Sequence, residues 1–420
     1  MHDNDRFVES TNLILSISHA IDLIDPIFLD HHQRVTFLAL SIAEAMEIHP
    51  VDQQHLFIAS SLHDIGSLNL ASRLATLQFD YTPAGERHAE TGYYMLSFFE
   101  PFQRAATIVR YHHHPWTTKT PEMPLESAIL HLADRVDIML REYPDPMRSL
   151  ATIRERVLRE AVRIFPRELC LTFADLAKRE YFWFDALSQH TEFLLRQKAQ
   201  PMSLEFSMDM MLQFSAMISR VIDFRSAFTA NHSRGVAVVA EQLGERLGFS
   251  KHEQAQLRIA GHFHDLGKLA IPITILEKPE PLEAEEYNLV QSHTYHTYRI
   301  LEPLRQLQTV NQWASLHHEK LDGTGYPFHL TKEQLPLGSR ILSVADVFVA
   351  LTEDRPYRRG MEKKDVRHML QQMVSDDHLD RPIVAALEQE YEPINQKRVA
   401  EQNAEMDEFR HYNATRTVNM

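Results

Sequence analysis

Residues 261–269 read GHFHDLGKL, and 201 positions earlier residues 60–68 read SSLHDIGSL. A His beside an Asp, with a glycine two places on, sets an imidazole and a carboxylate on one turn, a donor pair suited to a metal hydrolase. A dipeptide is weak evidence by itself. The chain carries 25 histidines, and a lone His on a helix is more often a satisfied core or surface residue than a ligand. The flanking spacings change the reading. His31 stands 32 residues before His63, and His232 stands 32 before His264. His88 precedes His112 by 24 residues, and His293 precedes His317 by the same 24. Each half closes on a similar line, ILHLADRVDIML around Asp134 and ILSVADVFVALT around Asp346. The order His, His-Asp, His, His-His, Asp occurs twice, so the chain reads as two tandem copies of one unit rather than a solenoid.

The surrounding sequence is helical. Val35, Leu38, Ala39, Ile42, Ala43 and Met46 share one helical face, with Glu44 and Glu47 off it; Val236, Val239, Ala240, Leu243 and Leu247 repeat the pattern. Periodicity predicts further helices near 52–63, 87–99, 101–113, 126–140, 147–163 and 178–197. In the second half it predicts them near 207–224, 250–264, 284–300, 306–318, 338–352, 363–376 and 381–391. Only HEKLDGTGYPFHL (318–330), punctuated by two glycines and a proline, reads as an ordered loop. The expected fold is all-α: two tandem helical bundles over 1–200 and 201–400, divided at RQKAQPMS (196–203), with a polar tail at 401–420 that frays or packs as a surface helix.

Composition excludes several classes. A formal charge of −15 leaves no global basic footprint for duplex nucleic acid or an anionic membrane. An anionic substrate therefore needs local cations. Cys170 is the one cysteine, which fits a reducing cytoplasm. The opening MHDNDRF lacks a signal-peptide layout, and no apolar run approaches the roughly 18 residues of a membrane span.

Each half offers seven side chains: His31, His63, Asp64, His88, His112, His113 and Asp134 in the first; His232, His264, Asp265, His293, His317, His318 and Asp346 in the second. Imidazoles and carboxylates without thiolate suit iron, manganese, nickel or zinc. Seven donors exceed one tetrahedral ion and match two neighbouring ions with a bridging Asp. Such pairs serve phosphoester hydrolysis.

The second half resembles the HD-GYP branch of the HD-domain phosphohydrolases over about 205–395. The matching text is NHSRGV (231–236), HDLGKLAIP (264–272), HTYHTYRIL (293–301), HHEKLDGTGYP (317–327) and ADVFVALTEDRPYR (345–358). The resemblance implies an all-α bundle that hydrolyses a cyclic dinucleotide, cyclic di-GMP or 3′3′-cyclic GMP-AMP, to a linear 5′-phosphorylated dinucleotide. It implies two divalent ions, iron or manganese first and nickel or zinc next. His232, His264, Asp265 and Asp346 would hold one ion, and Asp265, His293, His317 and His318 the other. Lys268 would join Asp265 in catalysis by meeting a phosphate oxygen. Arg355, Arg358, Gly325 and Tyr326 would contact substrate or shape the mouth. A diguanylate cyclase or another signalling protein would be its partner.

Three departures stand out. Phe228 occupies a position where some members have a metal-binding Glu, so two ions are expected rather than three. Val349 removes a carboxylate expected to meet a base or a water, and Thr297 replaces a usual Gly. Two rivals remain: a receptor that binds the dinucleotide without turnover, and an HD nucleotidase acting on mononucleotides. The first half keeps all seven donors. It has Ser67 where Lys268 stands, and 21 residues from His113 to Asp134 against 28 from His318 to Asp346. It is expected to be a diverged HD domain with further metal, serving regulation, scaffolding or removal of a 5′-phosphate.

Overall fold

The protein is described by a computed structural model covering residues 8–23, 29–67, 83–143, 145–199, 204–225, 231–354 and 359–418. Phe228, Arg355 and Arg358 lie outside these residues. The chain divides into two compact units, Glu9–Phe206 and Ser207 onward, the second also including Val8.

In the first unit the helices are α1 (Ser10–Asp22), α2 (His31–Ala45), α3 (Pro50–Leu62), α4 (Pro83–Ser97), α5 (Gln103–Arg110), α6 (Leu125–Arg141), α7 (Leu150–Arg159), α8 (Arg167–Leu176), α9 (Glu180–Ala186) and α10 (Thr191–Ala199). The second unit contains α11 (Met208–Phe224), α12 (His232–Arg246), α13 (Lys251–Phe263), the single turn α14 (Ile273–Leu276), α15 (Ala284–Leu301), α16 (Gln308–Ser315), α17 (Leu337–Thr352), α18 (Lys363–Ser375), α19 (Arg381–Gln389) and α20 (Tyr391–Val418). Among the described residues, strand structure is confined to the two-residue segments Val8–Glu9 and Glu205–Phe206 and isolated bridges. The fold is all-α.

The repeat read from spacing is a repeat of helices. α2 packs on α3 and α6, and α12 packs on α13 and α17 in the same way. Val35, Leu38, Ala39, Ile42 and Ala43 are fully buried, as are Val236, Val239, Ala240 and Leu243. Glu44 and Glu47 are exposed. Local chemistry fixes some helix starts. Ser250 caps α13 by a capping box, in which its hydroxyl accepts from Glu253 N–H and the Glu253 carboxylate accepts from Ser250 N–H at 2.8 Å.

Four details differ from the periodicity. The stretch 178–197 is two helices, because Ser188 caps a turn: its hydroxyl accepts from His190 N–H, and its carbonyl accepts from the Thr191 hydroxyl. The stretch 147–163 holds a 3-10 turn and then α7. α1, α8 and the single turn α14 fall outside the helices that periodicity predicts. Beyond residue 400, α20 continues to Val418, and Gln402 is buried with its amide donating to the Asn231 carbonyl at 2.7 Å.

Candidate metal centres

Helix ends place most of the predicted donors. In the second unit His232 is the first residue of α12, and His264 and Asp265 directly follow α13. His317 and His318 follow α16, while His293 and Asp346 project from within α15 and α17. All seven converge. His232, His264 and Asp346 have donor atoms within 4.8 Å of one another, as do His264, Asp265 and His317, and His293, His317 and His318. Asp265 lies between the groups: one oxygen is 3.3 Å from His264 Nε2 and the other 3.5 Å from His293 Nε2. Five of the seven are nearly fully buried; the Asp346 side chain is 13% exposed, and the His318 side chain, 32% exposed, marks the open side.

The orientation of the rings tests whether metal fits. His264, His293 and His317 each turn Nδ1–H to the carbonyl three residues earlier: Gly261 at 2.8 Å, Val290 at 2.6 Å and Ala314 at 2.7 Å. That bond fixes the tautomer and leaves an Nε2 lone pair facing the cluster. Those three buried Nε2 atoms have no hydrogen-bond partner. A buried acceptor without a partner is costly, and a divalent ion is the group that satisfies several at once.

Electrostatics agree. Burial pushes the His293 imidazole down to about 3, and burial with neighbouring imidazoles holds His317 well below its ordinary value, so both rings are neutral. Burial alone would raise Asp265, but His264 and Lys268 hold its carboxyl well below the usual range. The Lys268 ammonium is 2.6 Å from Asp265 Oδ2 and is raised by that carboxylate despite its own burial. His232 is the exception. Burial works against its charge, yet Glu353 and Asp346 on its two nitrogens raise it to about 10.

A second layer was missed by sequence reasoning. Asp223 accepts from Ser233 N–H at 3.0 Å and from its hydroxyl at 2.7 Å, anchoring the start of α12. Asp22 does the same for α2, bonding His32 N–H at 3.3 Å and His32 Nδ1 at 2.5 Å. Both stand nine residues before the first His donor of their unit, so the repeat spacing carried the signal. The Arg225 guanidinium donates to the Lys268, Leu269 and Ile271 carbonyls and clamps the segment after His264-Asp265. Thr297 accepts from Gly267 N–H at 2.9 Å and donates to the His264 carbonyl at 3.1 Å, so it ties the HD turn to α15. Val349 is buried, and its side chain lies against Gly235.

The loop after His318 is held by Glu319, whose carboxylate accepts from Phe328 N–H at 2.7 Å and Leu330 N–H at 3.0 Å. Gly325 is buried against Glu319 and Lys320, where a Cβ would lie 2.3 Å from Lys320 N, so its role is close approach of backbone. The Tyr326 ring packs 5.0 Å from the His318 ring.

The first unit repeats the constellation. His31, His63 and Asp64 form one group and His88, His112 and His113 another. Asp134 lies 3.6 Å from His31 Nε2 and 3.9 Å from His63 Nε2. His88 Nε2 is 3.3 Å from Asp64 and 3.2 Å from His112 Nε2. His63 and His112 also turn Nδ1 to the carbonyl three residues earlier, and the buried His63 Nε2 has no hydrogen-bond partner. The electropositive side chain differs. Ser67 is buried at the lysine position, and Arg135 instead bonds Asp134 at 2.6 Å. His113 is followed by the single turn Trp116–Thr118, with no counterpart of the long second-unit loop.

Comparison with known proteins matches this duplication. The HD domain family matches residues 28–139 and again 174–383. The chain is 31% identical over 405 residues to the 3′3′-cGAMP-specific phosphodiesterase 1 of Vibrio cholerae serotype O1, covering 93% of each. It is 37% identical over 158 residues to a cyclic di-GMP phosphodiesterase of Pseudomonas aeruginosa, covering 37% of this chain and 38% of that one. A crystal structure of a Vibrio cholerae cyclic GMP-AMP phosphodiesterase superposes with a TM-score of 0.63 over 91% of this chain and 97% of that chain. At 21% identity it shows the shared fold.

Proposed function

The chain belongs to the HD-GYP cyclic dinucleotide phosphodiesterases, and from that premise we propose that its second unit opens a cyclic dinucleotide at a dimetal centre, with 3′3′-cyclic GMP-AMP as the preferred substrate. The observation that carries the centre is Asp265, set between His264 and His293, whose buried Nε2 atoms, like that of His317, face the cluster without a hydrogen-bond partner. The substrate preference is supported by the relative matched over 93% of both chains. His232, His264, Asp265 and Asp346 would hold one ion, and Asp265, His293, His317 and His318 the other. All-N/O donors favour iron or manganese, with nickel or zinc also compatible.

Two divalent ions held there supply an acidified water and positive charge beside the phosphate oxygens. The chain's own residues do the rest. Lys268, already beside Asp265, offers its ammonium to charge that builds on phosphorus-bound oxygen. The Glu319-braced loop presents the His318–Tyr326 edge to the open side. Water adds to phosphorus, the bond to the 3′-oxygen breaks, and that oxygen leaves protonated. The product is a linear dinucleotide with a 5′-phosphate. The natural partner class is the cyclase, or another protein of the same signalling circuit, that controls this substrate.

The first unit supports a second metal centre by the same donor chemistry, with Arg135 in place of the lysine. It lacks the long loop that would shape a cyclic substrate site. Chromatography of products from 3′3′-cyclic GMP-AMP and cyclic di-GMP tests the proposal. A linear 5′-phosphorylated product is expected, faster from the first substrate. Binding without product would leave a receptor.

A further inference from the structure

The two histidines that open α2 and α12 differ from five of the other eight. Five imidazoles in the two centres bond Nδ1 to the carbonyl three residues earlier. The first residue of a helix has no helical turn behind it, so His31 and His232 need an outside acceptor. His31 Nδ1 finds Asp137 Oδ2 at 2.7 Å. Asp137 stands three residues after Asp134 on α6, and Arg34 and Arg141 hold its carboxylate at 2.6 and 2.8 Å.

The matching position in the second unit, three after Asp346, is Val349. Its side chain is buried against Gly235 and offers no acceptor. His232 Nδ1 instead meets Glu353, at 3.1 and 3.2 Å from its two oxygens. Glu353 sits four residues beyond Val349, at the end of α17. The first-unit residue matching Glu353 is Arg141, the cation that holds Asp137. An Asp and an Arg one turn apart in one unit have become a Val and a Glu in the other. The longer glutamate side chain spans the extra turn.

We infer that Glu353 is the positioning residue of His232, doing from the next helical turn what Asp137 does for His31. This rests on the reading of His232 as a metal donor. Glu353 fixes the ring so that Nε2 faces Asp346 and His264, and its charge makes the imidazole a stronger donor. The Val349 departure thereby loses its meaning for substrate choice: the carboxylate moved and was not lost.

The test uses the full chain, with Mn2+ as the probe. Glu353→Ala should weaken Mn2+ binding at the second unit about ten- to a hundredfold, with turnover falling in step. Glu353→Gln keeps an acceptor oxygen and should lose less. The melting midpoint in chelator reads the loss of the metal-free Glu353–His232 pair alone, and the loss of Mn2+ affinity is expected in addition to any fall seen there. Moving the carboxylate back, in Val349→Asp/Glu353→Ala, should recover at least part of the affinity. Should that buried Asp prevent folding, the order parent, Gln, Ala in Mn2+ affinity decides. Parent-like Mn2+ affinity in Glu353→Ala overturns the inference. So does a loss of midpoint in chelator with Mn2+ affinity intact, which marks a merely structural contact. A parent protein that binds no Mn2+ and cleaves no cyclic dinucleotide overturns instead the function on which the inference rests.

Discussion

Lys268 and Gly267 are adjacent and do opposite kinds of work. Lys268 contributes charge, and its partner Asp265 keeps the other neighbours already described. Lys268→Ala should therefore retain metal and lose rate, by about a hundredfold, the typical cost of one electrostatic contact to a transition state. Metal content and turnover measured on one preparation check this; unchanged turnover would show that the charge comes from elsewhere. Gly267 contributes absence. A Cβ there would lie 1.9 Å from the His293 carbonyl and 2.7 Å from Thr297 N, and Gly66 faces the His88 carbonyl and Gly92 N in the same way. Gly267→Ala should push α15 off the HD turn and separate His293 from Asp265. Loss of bound metal is the expected outcome, by elemental analysis of the folded protein. Thr297→Gly should cost about 1–3 kcal/mol, because the Gly267 N–H loses its partner, and should keep the metals.

At the level of elements, the loop after His318 depends on one carboxylate. Glu319 is nearly fully buried and accepts from two loop N–H groups. Glu319→Ala leaves both without that partner, a destabilisation of about 1–3 kcal/mol each if they stay buried. The loop should loosen, raising KM for the dinucleotide, and limited proteolysis should cut first within 320–330; a parent-like KM would mean that other contacts hold the loop. The loop was legible because glycine and proline punctuate it, and α2, α3, α12 and α13 were legible because one face of each is continuously apolar. The seven donors of each unit were legible because duplication preserved their spacing. Asp22 and Asp223 followed the same spacing but look like ordinary carboxylates near the end of a helix. Glu353 broke the spacing, and Arg225 acts through backbone carbonyls some 43 residues away. A contact set by how two helices cross leaves no local mark on either one.

For the whole molecule the question is whether both copies take up metal. Metal that binds only folded protein stabilises it by mass action, by about 2.7 kcal/mol at a hundredfold excess over Kd. Each unit has its own cluster of buried donors with at least one Nε2 that lacks a hydrogen-bond partner, His63 in the first and His264, His293 and His317 in the second. Adding Mn2+ to chelator-stripped protein should therefore raise melting in two contributions. Asp265→Ala should remove one of them and abolish ring opening. Asp64→Ala should remove the other and spare ring opening, because Ser67 and the short turn after His113 leave that unit without the lysine and the long loop. Its effect should fall on regulation or on removal of the 5′-phosphate, read by following the linear product over time. If Asp64→Ala leaves the Mn2+ shift unchanged, the first unit keeps its donors without using them for metal. If it stops ring opening in a folded protein while Asp265→Ala does not, the roles of the two units are reversed.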